Sequence, residues 1–166
     1  MAPRRERVLI VGIGNLLLSD EGLGVHVVGA LLSGSTPLPP GVDVIDAGTS
    51  LLDVLPELAR YERVIIVDAV RGGGQAGTVY RIDLRAELRS EAAPRVRLSL
   101  HQWETMDALR AAQTLGLLPR EILLIGAEPA RLDTGIGLSE ALARAAERIV
   151  RMLIDLNRPA PVGRLP

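Results

Sequence analysis

The chain has 166 residues, enough for one domain with a full core, and a net charge of −1 that gives no electrostatic case for nucleic acid or an anionic membrane. All 19 basic residues are arginine and cysteine is absent, which excludes a P-loop lysine, a lysine or thiolate nucleophile, a disulfide and a zinc-finger cluster. No apolar run approaches the ~20 residues that span a bilayer. The twin arginines Arg4 and Arg5 lead into no signal-peptide h-region and cleavage site, so a cytoplasmic protein is expected.

Residues 8–11, all apolar, predict a buried strand, and residues 23–33 a helix. Between them runs GIGNLLLSDEGLG, residues 12–24, which places Asn15, Asp20 and Glu21 at the carboxyl end of a strand, where open α/β sheets hold ligands. A dinucleotide fingerprint needs a third glycine where Leu17 stands, and two adjacent carboxylates repel phosphate. A nucleotide-binding module is therefore disfavoured. Asp20 could simply cap the helix, which leaves Glu21 without a role.

The proline-rich turn 37–41 ends the first unit. Residues 42–47 predict a second strand, ending in the polar cluster Asp46-Ala47-Gly48-Thr49, with a short helix over 51–59. Residues 63–70 are apolar except for their leading arginine and Asp68, as in a strand covered on both faces. A carboxylate inside the final turn of such a strand must be hydrogen-bonded, paired or bound to a cation.

The glycine-rich segment 71–77 reads as a mobile link, and 78–84 as a half-exposed antiparallel edge strand. On it Tyr80, Ile82 and Leu84 share one face, opposite Val79, Arg81 and Asp83. Residues 85–97 read as loop. Residues 99–105, with His101, lead into a helix that Gly116 ends. The last strand covers 121–127. A loop over 128–137 follows, then Ser139 as N-cap of a helix bearing Leu142, Ala145, Ile149, Met152, Leu153 and Leu156.

This order predicts a single α/β domain over 1–166: a doubly wound, mostly parallel five-stranded sheet with one antiparallel edge strand and helices on both faces. The three most apolar strands should be central, with residues 1–6 and 157–166 as flexible tails.

Glu21, Asp68 and His101 lie at three junctions that such a sheet can bring to one end. Two carboxylates and a neutral imidazole make a three-ligand site for Zn²⁺ or Ni²⁺. A lone histidine before a helix is more often a structural hydrogen-bonding group, and His26, mid-helix, reads as a surface residue.

The pattern G-x-G-N-x-L-x-x-D-[DE]-G-x-G of residues 12–24 resembles the hydrogenase maturation endopeptidases, and the likeness extends over nearly the whole chain. In that family a small protease removes the C-terminal peptide from the nickel-loaded large subunit of a [NiFe] hydrogenase. The resemblance implies metal binding by Glu21, Asp68 and His101, with Glu21 standing where many relatives carry aspartate. It also places Asp46 to Thr49 at the cleft rim, with Asp46 as a further catalytic candidate that orients water or the scissile segment. The metal it implies is Ni²⁺, that of the substrate, with Zn²⁺ or another divalent cation able to substitute.

The partner it implies is the [NiFe]-hydrogenase large subunit precursor, with no nucleic acid and no membrane. No G-x-S-x-G elbow is present, so metal-assisted hydrolysis is the chemistry left to a peptidase. The rival from another class is a non-catalytic, nickel-sensing or chaperone-like domain that binds the large subunit through the same ligands.

Overall fold

A computed structural model describes residues 6–34, 36–90 and 100–156, with side chains throughout except at residues 100–103. Strands β1 (Val8–Gly12), β2 (Val42–Asp46), β3 (Arg63–Ala69), β4 (Val79–Asp83) and β5 (Glu121–Ala127) form one sheet in the order β2-β1-β3-β5-β4. The first four neighbours in that row are parallel, and β4 runs antiparallel to β5. This is the doubly wound arrangement expected from the order of elements. β1, β3 and β5 are central because their valine, isoleucine and leucine side chains find cover on both faces. The segment between β3 and β4 is too short for a crossover helix, so β4 turns back as an edge strand.

Alternation along the strands feeds two cores. Ile10, Ile65, Val67 and Ile125 pack against α1 (Leu23–Ser33) and α5 (Glu140–Leu156). Leu9, Val11, Val64, Ile66 and Leu124 pack against a 3-10 turn at Leu51–Val54, α2 (Leu55–Leu58) and α4 (Leu100–Thr114). Along α5 the buried residues Leu142, Ala145, Ile149 and Leu153 recur at helical spacing. Its start is capped as expected, the Leu142 N–H donating to Ser139 Oγ at 3.3 Å.

Three local readings are corrected. Residues 85–97 are not loop throughout, because α3 covers Leu84–Arg89. Leu84 and Leu88, one turn apart, pack on the core, and the helix starts because Asp83 at the end of β4 accepts a bond from the Ala86 N–H at 3.0 Å. The helix expected over 51–59 splits into the 3-10 turn and α2, with Pro56 in the first turn of the latter. The link 71–77 is fastened along its length by hydrogen bonds described below. Residues 91–97 and 157–166, and all of the N-terminal tail but Glu6, lie outside the described residues.

The glycines of the first turn serve close packing. A Cβ on Gly24, in the first turn of α1, would stand 2.2 Å from both the Ile13 and Val67 carbonyl oxygens. Only a glycine lets α1 start directly against the ends of β1 and β3. Gly24→Ala should lower stability by about 3 kcal/mol, the upper range of overpacking costs. Gly29→Ala on the same helix, where a Cβ meets nothing within 4 Å, should raise it by about 1 kcal/mol. Urea denaturation of the two variants checks both signs.

Candidate active site at the carboxyl end of the sheet

The chain leaving β1 is laced to both neighbouring strands. The Ala47 N–H donates to Gly12 O, the Ile13 N–H to Val67 O, and the Gly14 N–H to Gly48 O, at 2.7–2.9 Å. Gly14 is forced by contact, since a Cβ there would lie 2.2 Å from the carbonyl oxygen of Glu21. The turn therefore folds back on itself and sets a 3-10 segment, Ser19–Gly22, above β3. Ser19 has φ +50°, the only described non-glycine in the left-handed region. That conformation costs about 1–2 kcal/mol. It is held by the Ser19 N–H on Gly135 O at 2.9 Å and by Ser19 Oγ on Asp133 O at 3.0 Å.

Asp20 is fully buried and does not cap α1, which corrects the capping reading. Its Oδ2 accepts bonds from the Ala130 N–H (2.8 Å), the Arg131 N–H (3.1 Å) and Ser139 Oγ (2.9 Å), and its Oδ1 from the Ser139 N–H (2.6 Å). It fastens the loop between β5 and α5 to the first turn. With Asp20 turned into that loop, its neighbour is the acid directed at β3.

Asp68 lies at the end of β3 and is 2 % exposed. Its Oδ1 accepts a 2.7 Å bond from its neighbour's Ala69 N–H. Burial holds its carboxyl well above the usual carboxylate range. The Ala69 N–H pulls it back in part, and the charge of Glu21 pushes it up further. Glu21 is half-buried with its Oε2 enclosed. The structure thus brings Glu21 and Asp68 close enough to feel each other's charge, in a setting that disfavours two bare anions.

His101 falls in the first turn of α4. That helix runs into β5, parallel to β3, so its start is at the carboxyl end of the sheet. It packs on the face where Ile66, and by alternation Asp68, project. The His101 side chain lies outside the described residues. Among the described residues no group of three His, Cys, Asp or Glu side chains is arranged to hold a metal.

Asp46 is placed differently. It ends the edge strand β2, is exposed, and its Oδ1 accepts from the Gly48 N–H at 2.8 Å, closing a turn. It shares a row with Gly12 and Val67, whose side of the sheet faces α1 and α5, so it stands at the rim and away from the acid pair. His26 is not the surface residue its mid-helix place suggested: it is half-buried against Gly22, and its Nε2 is enclosed without a hydrogen-bond partner among the described residues.

Sequence reasoning missed Glu128, 9 % exposed at the end of β5. The signal was available, since it ends an apolar strand as Asp68 does. A cavity of about 240 Å³ lined by Arg81, Asp83 and Glu87 sits where β4 meets the amino end of β5, on the far side of the sheet from these groups.

Solved structures share this arrangement of sheet, helices and loops. The hydrogenase maturating endopeptidase HybD from Escherichia coli superposes with a TM-score of 0.77 at 29 % identity, covering 90 % of this chain and 91 % of that one. The [NiFe] hydrogenase maturation protease HybD from Thermococcus kodakarensis does so at 0.74 and 26 %, covering 92 % and 99 %. Both are peptide-bond hydrolases of one fold. The sequence profile described as "Hydrogenase maturation protease" matches residues 25–156. The hydrogenase 2 maturation protease of Escherichia coli K12 is 31 % identical over 163 residues, spanning 96 % of each chain. The chain belongs to the hydrogenase maturation protease family.

Two outcomes are expected. Asp20→Ala removes four hydrogen bonds and leaves buried donors, so it should cost about 3 kcal/mol in urea denaturation. Asp68 has a folded pKa above its ordinary value of 3.8, so the folded state holds its proton more tightly than the unfolded one. Its contribution to stability is complete below that ordinary value and is lost as the pH rises through the folded pKa. Asp68→Asn should therefore be more stable than the parent at neutral pH without added divalent cation. That advantage should vanish toward about pH 4, near the unfolded aspartate pKa; parallel stability profiles for the two proteins would contradict the shift.

Proposed function

We propose that this protein is an endopeptidase that removes the C-terminal extension of a nickel-loaded [NiFe]-hydrogenase large subunit precursor. The observation that carries the reading is the pair Glu21 and Asp68 at the carboxyl end of β1 and β3, in a chain of the maturation protease family. Membership of that family favours cleavage over the nickel-sensing, non-catalytic rival.

In this reading Glu21, Asp68 and His101 hold the nickel of the substrate, with Zn²⁺ or another divalent cation able to take its place. Oxygen donors and imidazole suit such ions, and a carboxyl group as buried as Asp68 is stabilised as an anion once a cation faces it. A divalent ion at such a site polarises a carbonyl oxygen or lowers the pKa of bound water. The protein's own part is to read the loaded state: without the ion, Glu21 and Asp68 repel each other and offer the precursor no anchoring point. Asp46, at the exposed rim, is assigned the steering of water or of the scissile segment. Cytoplasmic action belongs to the same reading; among the described residues no helix is long and apolar enough to cross a membrane.

The test is mass spectrometry of a nickel-loaded precursor incubated with about a tenth of an equivalent of the protein, since only a catalyst turns over. Loss of one C-terminal peptide from most of the precursor is expected. His101→Ala and Glu21→Gln should each slow it more than about 100-fold, the most that losing a group behind a metal ligand usually costs. Nickel-dependent co-elution without cleavage would replace this reading with the binding-domain one.

A further inference from the structure

Glu128 has no part in the site as assigned so far, yet its carboxylate gathers three donors. A single oxygen, Oε2, accepts bonds from the Gly72 N–H at 2.7 Å, the Gly74 N–H at 3.3 Å and Tyr80 Oη at 2.7 Å. These contacts press the loop Arg71–Gly77, exposed along residues 71–76, flat onto the Tyr80 ring. A Cβ on Gly72 or Gly74 would come within 2.4–2.5 Å of Tyr80 atoms. The loop leaves β3 just after Asp68. Asp68, Gly126 and Tyr80 occupy one row across three strands, so the loop stands on the Asp68 face about 10 Å away, two strand spacings.

The two ends of the loop are pinned independently of the Glu128 side chain. The Val70 N–H donates to Ala127 O at 2.9 Å and the Gly77 N–H to Glu128 O at 2.8 Å, while Arg148 Nη2 reaches Gly77 O at 2.6 Å. The carboxylate therefore governs only the middle, residues 72–74, where three consecutive glycines present bare main chain to solvent. With the Gly72 and Gly74 N–H groups turned in to Glu128 and Tyr80, the solvent side of this wall is main chain without side chains, which an extended polypeptide can lie against closely without regard to its own side chains.

We propose that Glu128 is a positioning residue: it fixes residues 72–74 as the wall against which the precursor segment flanking the scissile bond lies. The assignment rests on the endopeptidase reading above. Removing the carboxylate frees the middle of the loop without unfolding the sheet, so binding suffers and the chemical step does not. Because one oxygen accepts all three bonds, Glu128→Gln, which keeps an oxygen there, restores the wall.

The test combines cleavage kinetics on the nickel-loaded precursor with limited trypsin digestion of the protein alone, read at the bond after Arg71. Glu128→Ala should raise KM about tenfold with kcat within about twofold of the parent, and should speed cutting at Arg71. Glu128→Gln should return both readouts most of the way, and Tyr80→Phe, which removes the Tyr80 bond to Glu128 and the 3.0 Å bond from the Gly74 N–H to Tyr80 Oη but leaves the Gly72 bond, should fall between. Faster trypsin cutting with KM unchanged would show a purely structural anchor and overturn the assignment. Unchanged cutting would show that Glu128 does not hold the loop, which also overturns it. A parent protein that leaves the precursor intact would sink the endopeptidase reading and this role with it, while the trypsin result would still report whether Glu128 holds the loop.

Discussion

The carboxylate of Asp20 is the constraint on which this end of the molecule depends. A fully buried carboxyl group is tolerated only when hydrogen bonds replace its hydration, and here four donors do so. All four come from the segment between β5 and α5, more than a hundred residues along the chain. The same contact region holds Ser19 in a left-handed conformation that it would not keep alone, with Gly135 bonded to Leu17 and Ser19 on either side. One acid thus fixes the loop, and the strained residue before it sets where the next acid goes.

Glu21 and Asp68 then form a pair defined by what burial forbids. Desolvation and mutual repulsion both resist two carboxylates ionised together. This is why a phosphate-binding reading of the glycines fails on physical grounds as well as on pattern. Gly12, Gly14 and Gly24 are glycines because carbonyl oxygens of other segments occupy the space a side chain would need. They bring α1 and the 3-10 segment onto the strand ends and leave no cradle of free N–H groups, since the Ile13 and Gly14 N–H groups are bonded to Val67 and Gly48.

Around that pair the sheet builds two unlike walls. On the β2 side the Asp46 turn is tied to the first turn through Gly12, Gly14 and Ala47. On the β4 side a glycine loop is gathered on the single oxygen of Glu128.

The order of the elements and the central strands were legible in the chain, because they follow from local quantities: the runs 8–11, 64–67 and 122–125 are apolar without break, and 78–84 alternates. The acids at strand ends were legible for the same reason, as polar residues closing apolar runs. What each acid does was decided only by tertiary contacts. Asp20 and Glu21 are adjacent and chemically alike, and their separation into a loop clamp and a neighbour of Asp68 depends on donors from residues 130–139. Asp46 and Asp68 end strands alike, yet edge position and alternation leave one exposed at the rim and the other buried beside Glu21. A helix at Leu84–Arg89 and a fastened loop at 71–77 arise from a cap and a carboxylate that no periodicity encodes. The chain by itself determined which residues could be buried and in what order the elements run, because burial and periodicity are properties of neighbours in sequence. The partner of each charged group was left to the folded structure, because hydrogen bonds and charge interactions act between residues that only the fold brings together.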